Sequence, residues 1–230
     1  FDMLEMSYST CSQLAATLTF NKFVCNRYLK TFGIKVANAV LIRKQDIVTS
    51  AEVIAKVGLP CFVKPNDGGS SFGITKVRAE SELNAAVDLA LLHGTQAIVE
   101  SFMSGREVTN GIYKGLEGVV SLPVTEIITE NDFFDFDAKY KGESNEITPA
   151  DLPLELSNKI KAVTKEIFEL LDLKGIARAD YIIQDGEPYL IEINTVPGMS
   201  GASLIPQMAE HEGIALTDLL NDIINVAIQK

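Results

Sequence analysis

Basic residues are the minority charge in this sequence of 230 residues, and they form no run. The chain has 20 Lys and Arg against 31 Asp and Glu, which gives a formal charge of −11. Binding to a nucleic-acid backbone needs clustered positive charge, so we expect no nucleic-acid partner. Single lysines in a cleft can still hold the phosphates of a nucleotide, because local placement rather than net charge decides that contact.

Long apolar runs, histidines and cysteines are also scarce. No apolar run reaches the roughly 20 residues of a membrane span and no segment has a signal-like pattern, so we expect no membrane partner. The two histidines, His93 and His211, give little support for a Ser-His-Asp triad. Three cysteines without CxxC spacing predict reduced core thiols of a cytoplasmic protein rather than a zinc site or a disulfide framework.

Helical and strand patterns alternate along the chain, and 47% hydrophobic residues suffice for one large domain or two subdomains. The patterns predict helices over 10–18, 21–32, 49–58, 81–92, 153–171 and 215–228. They predict strands over 39–42, 60–65, 74–77, 96–100, 107–113 and 118–128. We expect a hinge between subdomains at 101–105, and the aperiodic stretch 139–151 predicts a long loop of the kind that often forms a lid.

Two further β-rich runs, 177–183 and 188–194, predict an antiparallel hairpin. Polar residues stand two apart on each strand, so each pair shares one face of its strand: Arg178 with Asp180, and Glu192 with Asn194. Apolar neighbours indicate that the hairpin is buried, and a buried charge needs a partner or a metal.

The turn of this hairpin decides whether the two polar faces coincide. A two-residue turn at Asp185 and Gly186 would put them on opposite faces, whereas a three-residue loop over 184–186 with a bulge at Gly186 unites them. We predict the three-residue loop. The united face would offer two carboxylates and an amide oxygen, hard ligands suited to Mg²⁺ or Mn²⁺, beside a guanidinium. A solvated face with ordinary ion pairs is the alternative.

Lys64 interrupts a buried strand, and buried lysines are rare unless paired, so Lys64 is a candidate for holding an anion. The Gly- and Ser-rich segment 66–73 follows it and can turn backbone N–H groups toward a phosphate. The segment lacks the Gly-Lys-Ser/Thr of a Walker A motif, and a flexible turn is the alternative. Lys22 lies at the start of a predicted helix, where its positive charge is unfavourable beside the positive end of the helix dipole. This position by itself does not indicate a function.

Four motifs occur together in this chain: VKPNDGGSSFGI at 63–74, FDFDAKY at 134–140, ARAD at 177–180 and EINTVPGMS at 192–200. In order and spacing they resemble the ATP-grasp carboxylate-amine ligases, and within them the D-alanine:D-alanine ligases, over nearly the whole chain. The resemblance implies an α+β, ATP-grasp fold in which two subdomains with antiparallel sheets enclose ATP. The subdomains would span 21–104 and 105–230, the second carrying the metal site and the lid loop.

The resemblance implies four groups of residues at the ATP site. Those that hold phosphates are Lys22, Lys64, Ser71 and, as the lid closes, Lys139. Those that read the adenine are Glu100 and the backbone of Ser101 and Met103, with Phe133 and Ile191 on either side of the base. The ribose hydroxyls would be bound by Glu107. The ligands of two Mg²⁺ ions, replaceable by Mn²⁺, are Asp180, Glu192 and Asn194.

The implied reaction transfers the γ-phosphate of ATP to the carboxylate of one D-alanine, and the amine of a second D-alanine attacks the acyl phosphate. Phosphoryl transfer depends mostly on positioning and charge neutralisation, the task of the metals and lysines. Arg178 and the backbone N–H of Gly198 would stabilise the oxyanion. Ser203 and Leu204 would hold the carboxylate of the second D-alanine.

Tyr140 corresponds to the lid tyrosine of the family, which forms a hydrogen-bonded clasp with Ser70 and a glutamate of an N-terminal domain. Its presence favours D-alanine over D-lactate as the second substrate. Because the chain starts at Phe1, we expect that domain to precede it, residues 1–20 to be its remnant or a linker, and this chain alone to make no dipeptide. We expect the full-length protein to be a cytoplasmic homodimer.

Two other functions stay open. One is an ATP-grasp ligase of different amino acids, against which Tyr140, Ser70 and Ser203 count. The other is a nucleotide-binding module without ligase activity, which would have no use for the oxyanion pair of Arg178 and Gly198. A purely structural protein would leave the charged face of the hairpin as an unexplained cost.

Overall fold

The computed structural model describes residues 1–68, 73–129 and 144–229. Its helices are α1 (Gln13–Phe20), α2 (Lys22–Lys30), α3 (Ser50–Val57), α4 (Leu83–His93), α5 (Leu154–Leu170), α6 (Leu204–His211) and α7 (Leu216–Ile228). Its strands are β1 (Ala39–Arg43), β2 (Cys61–Pro65), β3 (Thr75–Val77), β4 (Gln96–Ser101), β5 (Arg106–Gly115), β6 (Gly118–Thr129), β7 (Ser144–Ile147), β8 (Ile176–Gln184) and β9 (Glu187–Asn194). Short 3-10 helices lie at Asp2–Leu4 and Glu80–Glu82.

Two sheets organise these elements. The first has the strand order β1-β4-β2-β3, and the second has the order β7-β6-β5-β8-β9. The neighbouring strands in both sheets pair antiparallel. The predicted α+β class with two antiparallel sheets is confirmed.

Helices α3 and α4 pack on the first sheet. The buried residues they contribute are Val53, Val57, Leu83, Ala86 and Ala90. Helix α3 begins at the predicted capping box, in which the Thr49 hydroxyl accepts from the Glu52 N–H and the Glu52 carboxylate accepts from the Thr49 N–H. This box satisfies two donors at the helix start and so fixes where α3 begins.

The second sheet has helices on both faces. One face packs against α1, α2 and α5, where the residues contributed by β8 are Ala177, Ala179, Tyr181 and Ile183. The other face is apolar where α6 and α7 cover Tyr113, Leu122 and Ile127. Its remainder carries the alternate residues of β5, β8 and β9, which are mostly polar. We call this remainder the polar face; its residues are Glu107, Thr109, Arg178, Asp180, Glu192 and Asn194.

The packing of α1 and α2 bears on the predicted division at residue 21. Ala15 of α1 and Cys25 and Leu29 of α2 are buried in the core of the second sheet, together with Ile34 and Val36. The first sheet has a separate core that begins with Ile42. The limits 1–20, 21–104 and 105–230 stay predictions, and the described packing joins α2 to the second sheet rather than to the first.

Two elements differ from the sequence patterns. Residues 144–147 of the predicted loop 139–151 form β7, which pairs with β6 through Glu126 and Ile147. The sequence of β7 has no alternation of its own, and the neighbouring strand supplies its hydrogen bonds. Helix α6 was not predicted, because it has eight residues with Pro206 in its first turn and is too short for periodicity to show.

Across the described part of the chain, no helix is both long enough and apolar enough to cross a membrane. The three cysteines, Cys11, Cys25 and Cys61, are buried and carry free thiols, which agrees with the prediction of core thiols. Burial raises the pKa of the Cys25 thiol to about 12.

Candidate active site

The hairpin of β8 and β9 turns through two residues. Gln184 pairs with Glu187, and Asp185 and Gly186 between them have φ angles of 53° and 73°. Two consecutive residues with positive φ are typical of a type I′ turn, which matches the right-handed twist of the strands and favours Asp-Gly. The predicted three-residue loop with a bulge at Gly186 was therefore wrong.

A bulge in β9 nevertheless unites the two polar pairs. Tyr181 pairs with Leu190 but Asp180 pairs with Glu192, so Ile191 has no partner in the β8–β9 ladder. The Ile191 carbonyl instead accepts a hydrogen bond from Asn26 Nδ2 of α2 at 3.1 Å. The extra residue moves the end of β9 by one position, which brings its polar side chains onto the face of Asp180. The predicted common face is confirmed, but a bulge in β9 produces it rather than a three-residue turn.

Asp180 lies at the centre of the polar face and is 8% exposed. The Arg178 guanidinium donates two hydrogen bonds of 2.8 Å to its carboxylate, from Nε to Oδ1 and from Nη2 to Oδ2. Asn194 Nδ2 donates to Oδ2 at 3.2 Å. Burial alone would lower the pKa of Arg178, but the carboxylates of Asp180, Glu192 and Glu107 outweigh it and raise that pKa above its ordinary value.

Thr109 is a member of the polar face that the sequence patterns missed. It pairs with Asp180 across the β5–β8 ladder, and its hydroxyl donates to Asp180 Oδ1 at 2.6 Å. The only signal in the sequence was its spacing of two residues from Glu107, which puts both on one face of β5.

Lys22 reaches from the first turn of α2 to the polar face. Its Nζ lies 3.3 Å from Glu192 Oε2 and donates to the Gly68 carbonyl at 2.5 Å. The residue is only 9% exposed, so it is not the ordinary surface lysine that its place in the helix suggested. Lys22 thus joins the Gly-rich segment of the first sheet to the hairpin of the second.

Asn66, which was not predicted to act in the site, forms hydrogen bonds at the place where Lys22 joins the two sheets. It is fully buried, and its Nδ2 donates to Asn21 Oδ1 at 2.9 Å and to Gln96 Oε1 at 2.8 Å. Its Oδ1 accepts from the Phe23 N–H at 2.8 Å, and its carbonyl accepts from the Lys22 N–H at 3.2 Å. The start of α2 is therefore tied to the end of β2, two residues after Lys64.

Lys64 pairs with Glu100 across neighbouring strands of the first sheet. Its Nζ lies 2.6 Å from Glu100 Oε2, and each residue is 7% exposed. Burial alone would lower the pKa of Lys64, but the carboxylates of Glu100, Glu192 and Glu107 raise it above its ordinary value. Lys64 is therefore buried and paired with a carboxylate of the protein itself, and its predicted role in holding a bound anion stays a prediction. Glu192 and Glu107 act on it from the second sheet, so the two sheets share one electrostatic environment.

The residues expected to read the adenine and ribose lie along the connection between the two sheets. Glu100 and Ser101 end β4, Met103 follows it, and Glu107 is the second residue of β5. The Ser101 N–H donates to the Asn38 carbonyl at 2.9 Å. All four predicted residues therefore occur on one stretch that runs from the first sheet to the second.

The residues expected to meet the second substrate cluster at the start of α6. Ser203 is the N-cap of this helix, and its Oγ accepts from the Ser200 N–H at 3.2 Å. A Cβ at Gly198 would lie 2.7 Å from Ser203 Oγ, so only glycine allows this close approach. Leu204 is buried among residues of α6 and α7. The first N–H groups of a helix favour a carboxylate, and α6 has those of Leu204 and Ile205, since Pro206 has none.

Five of the predicted site residues lie outside the described residues: Ser70, Ser71, Phe133, Lys139 and Tyr140. The predictions made for phosphate contacts, adenine stacking and the clasp at these positions therefore stay predictions.

The polar face fits a divalent cation by its chemistry. Asp180, Glu192 and Asn194 offer two carboxylates and an amide group on adjacent strands, and oxygen is the donor that Mg²⁺ and Mn²⁺ prefer. No group of three or more His, Cys, Asp or Glu side chains suited to a metal occurs among the described residues.

Comparison with known proteins gives one consistent family. The family described as "D-ala D-ala ligase C-terminus" matches residues 28–225. The D-alanine–D-alanine ligase of Parabacteroides distasonis is 50% identical over 225 residues, which are 97% of this chain and 68% of that protein.

Solved structures agree with this match. The D-alanine–D-alanine ligase of Bacillus anthracis superposes with a TM-score of 0.87 at 30% identity, covering 99% of this chain and 73% of that one. Its complex with ATP gives a TM-score of 0.85 at 28% identity, over 99% and 72% of the two chains. The VanG D-Ala:D-Ser ligase of Enterococcus faecalis gives 0.86 at 31% identity, over 96% and 65%.

Proposed function

We propose a reaction for this chain from the premise that it belongs to the D-alanine–D-alanine ligase family, whose C-terminal part matches residues 28–225. The reaction is the ATP-dependent ligation of two D-alanine molecules, with ADP and phosphate as the other products. Ligases of this family supply the dipeptide for peptidoglycan precursors. A relative at 28% identity has been solved with ATP, which supports ATP as the nucleotide.

One observation supports the proposal: Lys22 of α2 and Arg178 of β8 lie against carboxylates of the polar face, and Lys64 of the first sheet interacts electrostatically with Glu192 and Glu107 of that face. Lys22 lies 3.3 Å from Glu192, and Arg178 lies 2.8 Å from Asp180. Lys64, the third of these cations, lies on β2 of the first sheet. Such an arrangement matches a polyphosphate with its cation, because positive groups neutralise the phosphates while carboxylates hold the metal.

In the first step, a carboxylate oxygen of one D-alanine attacks the γ-phosphorus of ATP, and the bond from that phosphorus to the β,γ-bridging oxygen breaks. Lys22 and Lys64 would hold the phosphates in line and neutralise their charge. Mg²⁺ held by Asp180, Glu192 and Asn194 would, when bound, withdraw charge from the phosphate oxygens.

In the second step, the amine of the other D-alanine attacks the carbonyl carbon of D-alanyl phosphate, loses a proton and displaces phosphate. Arg178 and the Gly198 N–H would stabilise the negative oxygen of the tetrahedral intermediate. Ser203 and the start of α6, with Leu204 behind it, would hold the carboxylate of the attacking D-alanine. This would aim the amine at the acyl phosphate.

The nucleotide contacts complete the proposal. Glu100 with the backbone of Ser101 and Met103 would read the adenine, Ile191 would lie against the base, and Glu107 would bind the ribose. Ser71 and Lys139 would add phosphate contacts, Phe133 the second adenine contact, and Ser70 and Tyr140 the clasp. Mn²⁺ would replace Mg²⁺, because both accept the same oxygen ligands. We propose that the reaction takes place in the cytoplasm, because it consumes ATP, and that the full-length protein is a homodimer, which sedimentation equilibrium would test.

The deciding experiment measures ADP release by the full-length protein with D-alanine, L-alanine or D-serine. We expect release with D-alanine and none with L-alanine. D-serine is included because a structural relative is a D-Ala:D-Ser ligase. Faster ADP release with a mixture of D-alanine and D-serine than with D-alanine alone would favour the mixed dipeptide as the product. Nucleotide binding without release that depends on a D-amino acid would favour a module without ligase activity and contradict the proposal.

Arg178→Met tests the proposed oxyanion role of Arg178. It should lower dipeptide formation by roughly 10²–10³-fold, the usual effect of losing one oxyanion donor, while nucleotide binding changes little. The control is Lys56→Met, which changes an exposed lysine on α3. Its dipeptide formation and nucleotide binding should equal those of the parent protein.

A further inference from the structure

Thr109 makes a contact that none of the proposed catalytic roles explains. It is 2% exposed in the centre of β5, and its hydroxyl lies 2.6 Å from Asp180 Oδ1. The Ala179 carbonyl lies within reach of the same hydroxyl at 3.3 Å. A hydroxyl has one proton, and the shorter distance and the charge of the acceptor favour the carboxylate.

Asp180 accepts hydrogen bonds from three side chains, those of Arg178, Asn194 and Thr109. Arg178 holds it at the end of a long side chain with several rotatable bonds, and this guanidinium is also the group proposed to act on the oxyanion. Thr109 holds it through a short β-branched side chain with restricted χ1, on a strand paired directly with that of Asp180. The contact from Thr109 therefore has less conformational freedom than the contact from Arg178.

We propose that Thr109 is a positioning residue that orients the Asp180 carboxylate for its divalent cation, an inference that rests on the proposed function. The hydroxyl occupies one lone pair of Oδ1 and fixes the rotation of the carboxylate, which leaves Oδ2 directed toward the side of Asn194. Residues that orient a metal ligand in this way commonly contribute 10–100-fold to metal affinity.

Thr125 provides a matched control within the same sheet. It pairs with Thr109 across the β5–β6 ladder and is fully buried, but its hydroxyl lies 2.6 Å from Thr148 Oγ1 rather than from a carboxylate. Replacing either threonine by valine removes a buried hydroxyl at nearly constant volume. Only the change at 109 removes a hydrogen bond to a proposed metal ligand.

The test is a titration of the full-length protein with Mn²⁺ in the presence of ADP, followed by electron paramagnetic resonance of free Mn²⁺. Thr109→Val should weaken Mn²⁺ binding by roughly 10–100-fold. Thr109→Ser, which keeps the hydroxyl, should stay within about threefold of the parent protein, and Thr125→Val should not weaken Mn²⁺ binding. Equal Mn²⁺ affinity in the Thr109→Val and Thr125→Val variants would overturn the inference.

Asp180→Asn distinguishes failure of this inference from failure of the proposed metal site. If Asp180→Asn leaves Mn²⁺ binding unchanged, the metal site in the proposed function is wrong, and the inference falls with it. If Asp180→Asn abolishes binding while Thr109→Val does not weaken it, only the inference is wrong. Should Thr109→Val fail to fold, Thr109→Ser and Thr109→Ala give the same comparison, because these two differ only in the hydroxyl.

Discussion

Lys64 shows how one residue can serve stability and function together. Its Nζ is 2.6 Å from Glu100 Oε2, and both side chains are almost fully buried. A buried ion pair adds little net stability, but removal of one partner leaves a buried charge that is costly. A loss of nucleotide binding in a Lys64 variant would therefore have two explanations, and the partner residue separates them.

We predict that Lys64→Met destabilises the protein by about 3–5 kcal/mol, because Glu100 would lose its partner. The double variant Lys64→Met/Glu100→Gln should recover much of this loss in urea denaturation but still bind ADP weakly. Lys56→Met on α3 should change neither quantity. Full recovery of ADP binding in the double variant would show that Lys64 contributes only to the fold.

The pH dependence of the pair has a definite sign. Because the pKa of Lys64 is raised in the folded protein, its contribution to stability is fully present below the pKa of an unfolded lysine. The contribution is lost only as the pH rises through the folded-state value. The difference in stability between parent and Lys64→Met should thus stay constant near neutral pH and shrink in strongly basic solution.

At the level of elements, the hairpin of β8 and β9 determines the composition of the polar face. The turn at Asp185 and Gly186 sets the strand pairing from Gln184–Glu187 to Tyr181–Leu190. The bulge at Ile191 then shifts the pairing by one residue, so that Glu192 lies opposite Asp180. Asn26 of α2 binds the Ile191 carbonyl, so a helix from far away in the sequence supports the bulge. The turn and the bulge therefore have separate tasks.

We predict that Gly186→Ala destabilises the protein by about 1–2 kcal/mol, the cost of a left-handed conformation with a Cβ. Gly186 has a φ of 73°, and no atom lies within 4 Å of the added Cβ, so backbone strain alone should set this cost. Asp185→Asn should be nearly neutral, since asparagine tolerates the same conformation.

Mn²⁺ affinity should not change in either variant, because the bulge rather than the turn residue type keeps Glu192 opposite Asp180. Urea denaturation and Mn²⁺ titration of the same samples test both parts. A large loss of Mn²⁺ affinity in Gly186→Ala would contradict the separation of the two tasks.

On the scale of the whole molecule, α2 connects the two sheets. Its Cys25 and Leu29 pack in the core of the second sheet, while its first residues bind Asn66 and the Gly-rich segment of the first. Lys22 lies where these connections meet and contacts Glu192. A nucleotide that binds Lys22 and Lys64 would therefore contact groups from both sheets and should stabilise the molecule as a whole.

We predict that ADP with Mg²⁺, at about 100 times its dissociation constant, adds about 2.7 kcal/mol to stability. For a chain of this size that corresponds to a rise of about 5–11 °C in Tm. Differential scanning calorimetry would measure it, with the Lys64→Met/Glu100→Gln variant at the same ADP concentration as the control. An equal rise in both proteins would contradict a role of Lys64 in nucleotide binding.

The sequence by itself determined the residue content of the site. Because strand side chains alternate with a period of two, Arg178 had to share a face with Asp180, and Glu192 with Asn194. The buried strand around Lys64 likewise required an anionic partner. These conclusions depend on residues close together in the chain, where local geometry permits few arrangements.

Only the tertiary structure decided how these local pieces combine. The bulge at Ile191, the approach of Lys22 to Glu192 and the contact of Thr109 with Asp180 all join segments that are distant in sequence. Their register depends on packing between helices and sheets, and a shift of one residue would move every side chain of a strand to the other face. No local pattern specifies that register, which is why Thr109 was missed. The turn was predicted wrongly because the common face was attributed to it, whereas the bulge at Ile191 produces that face.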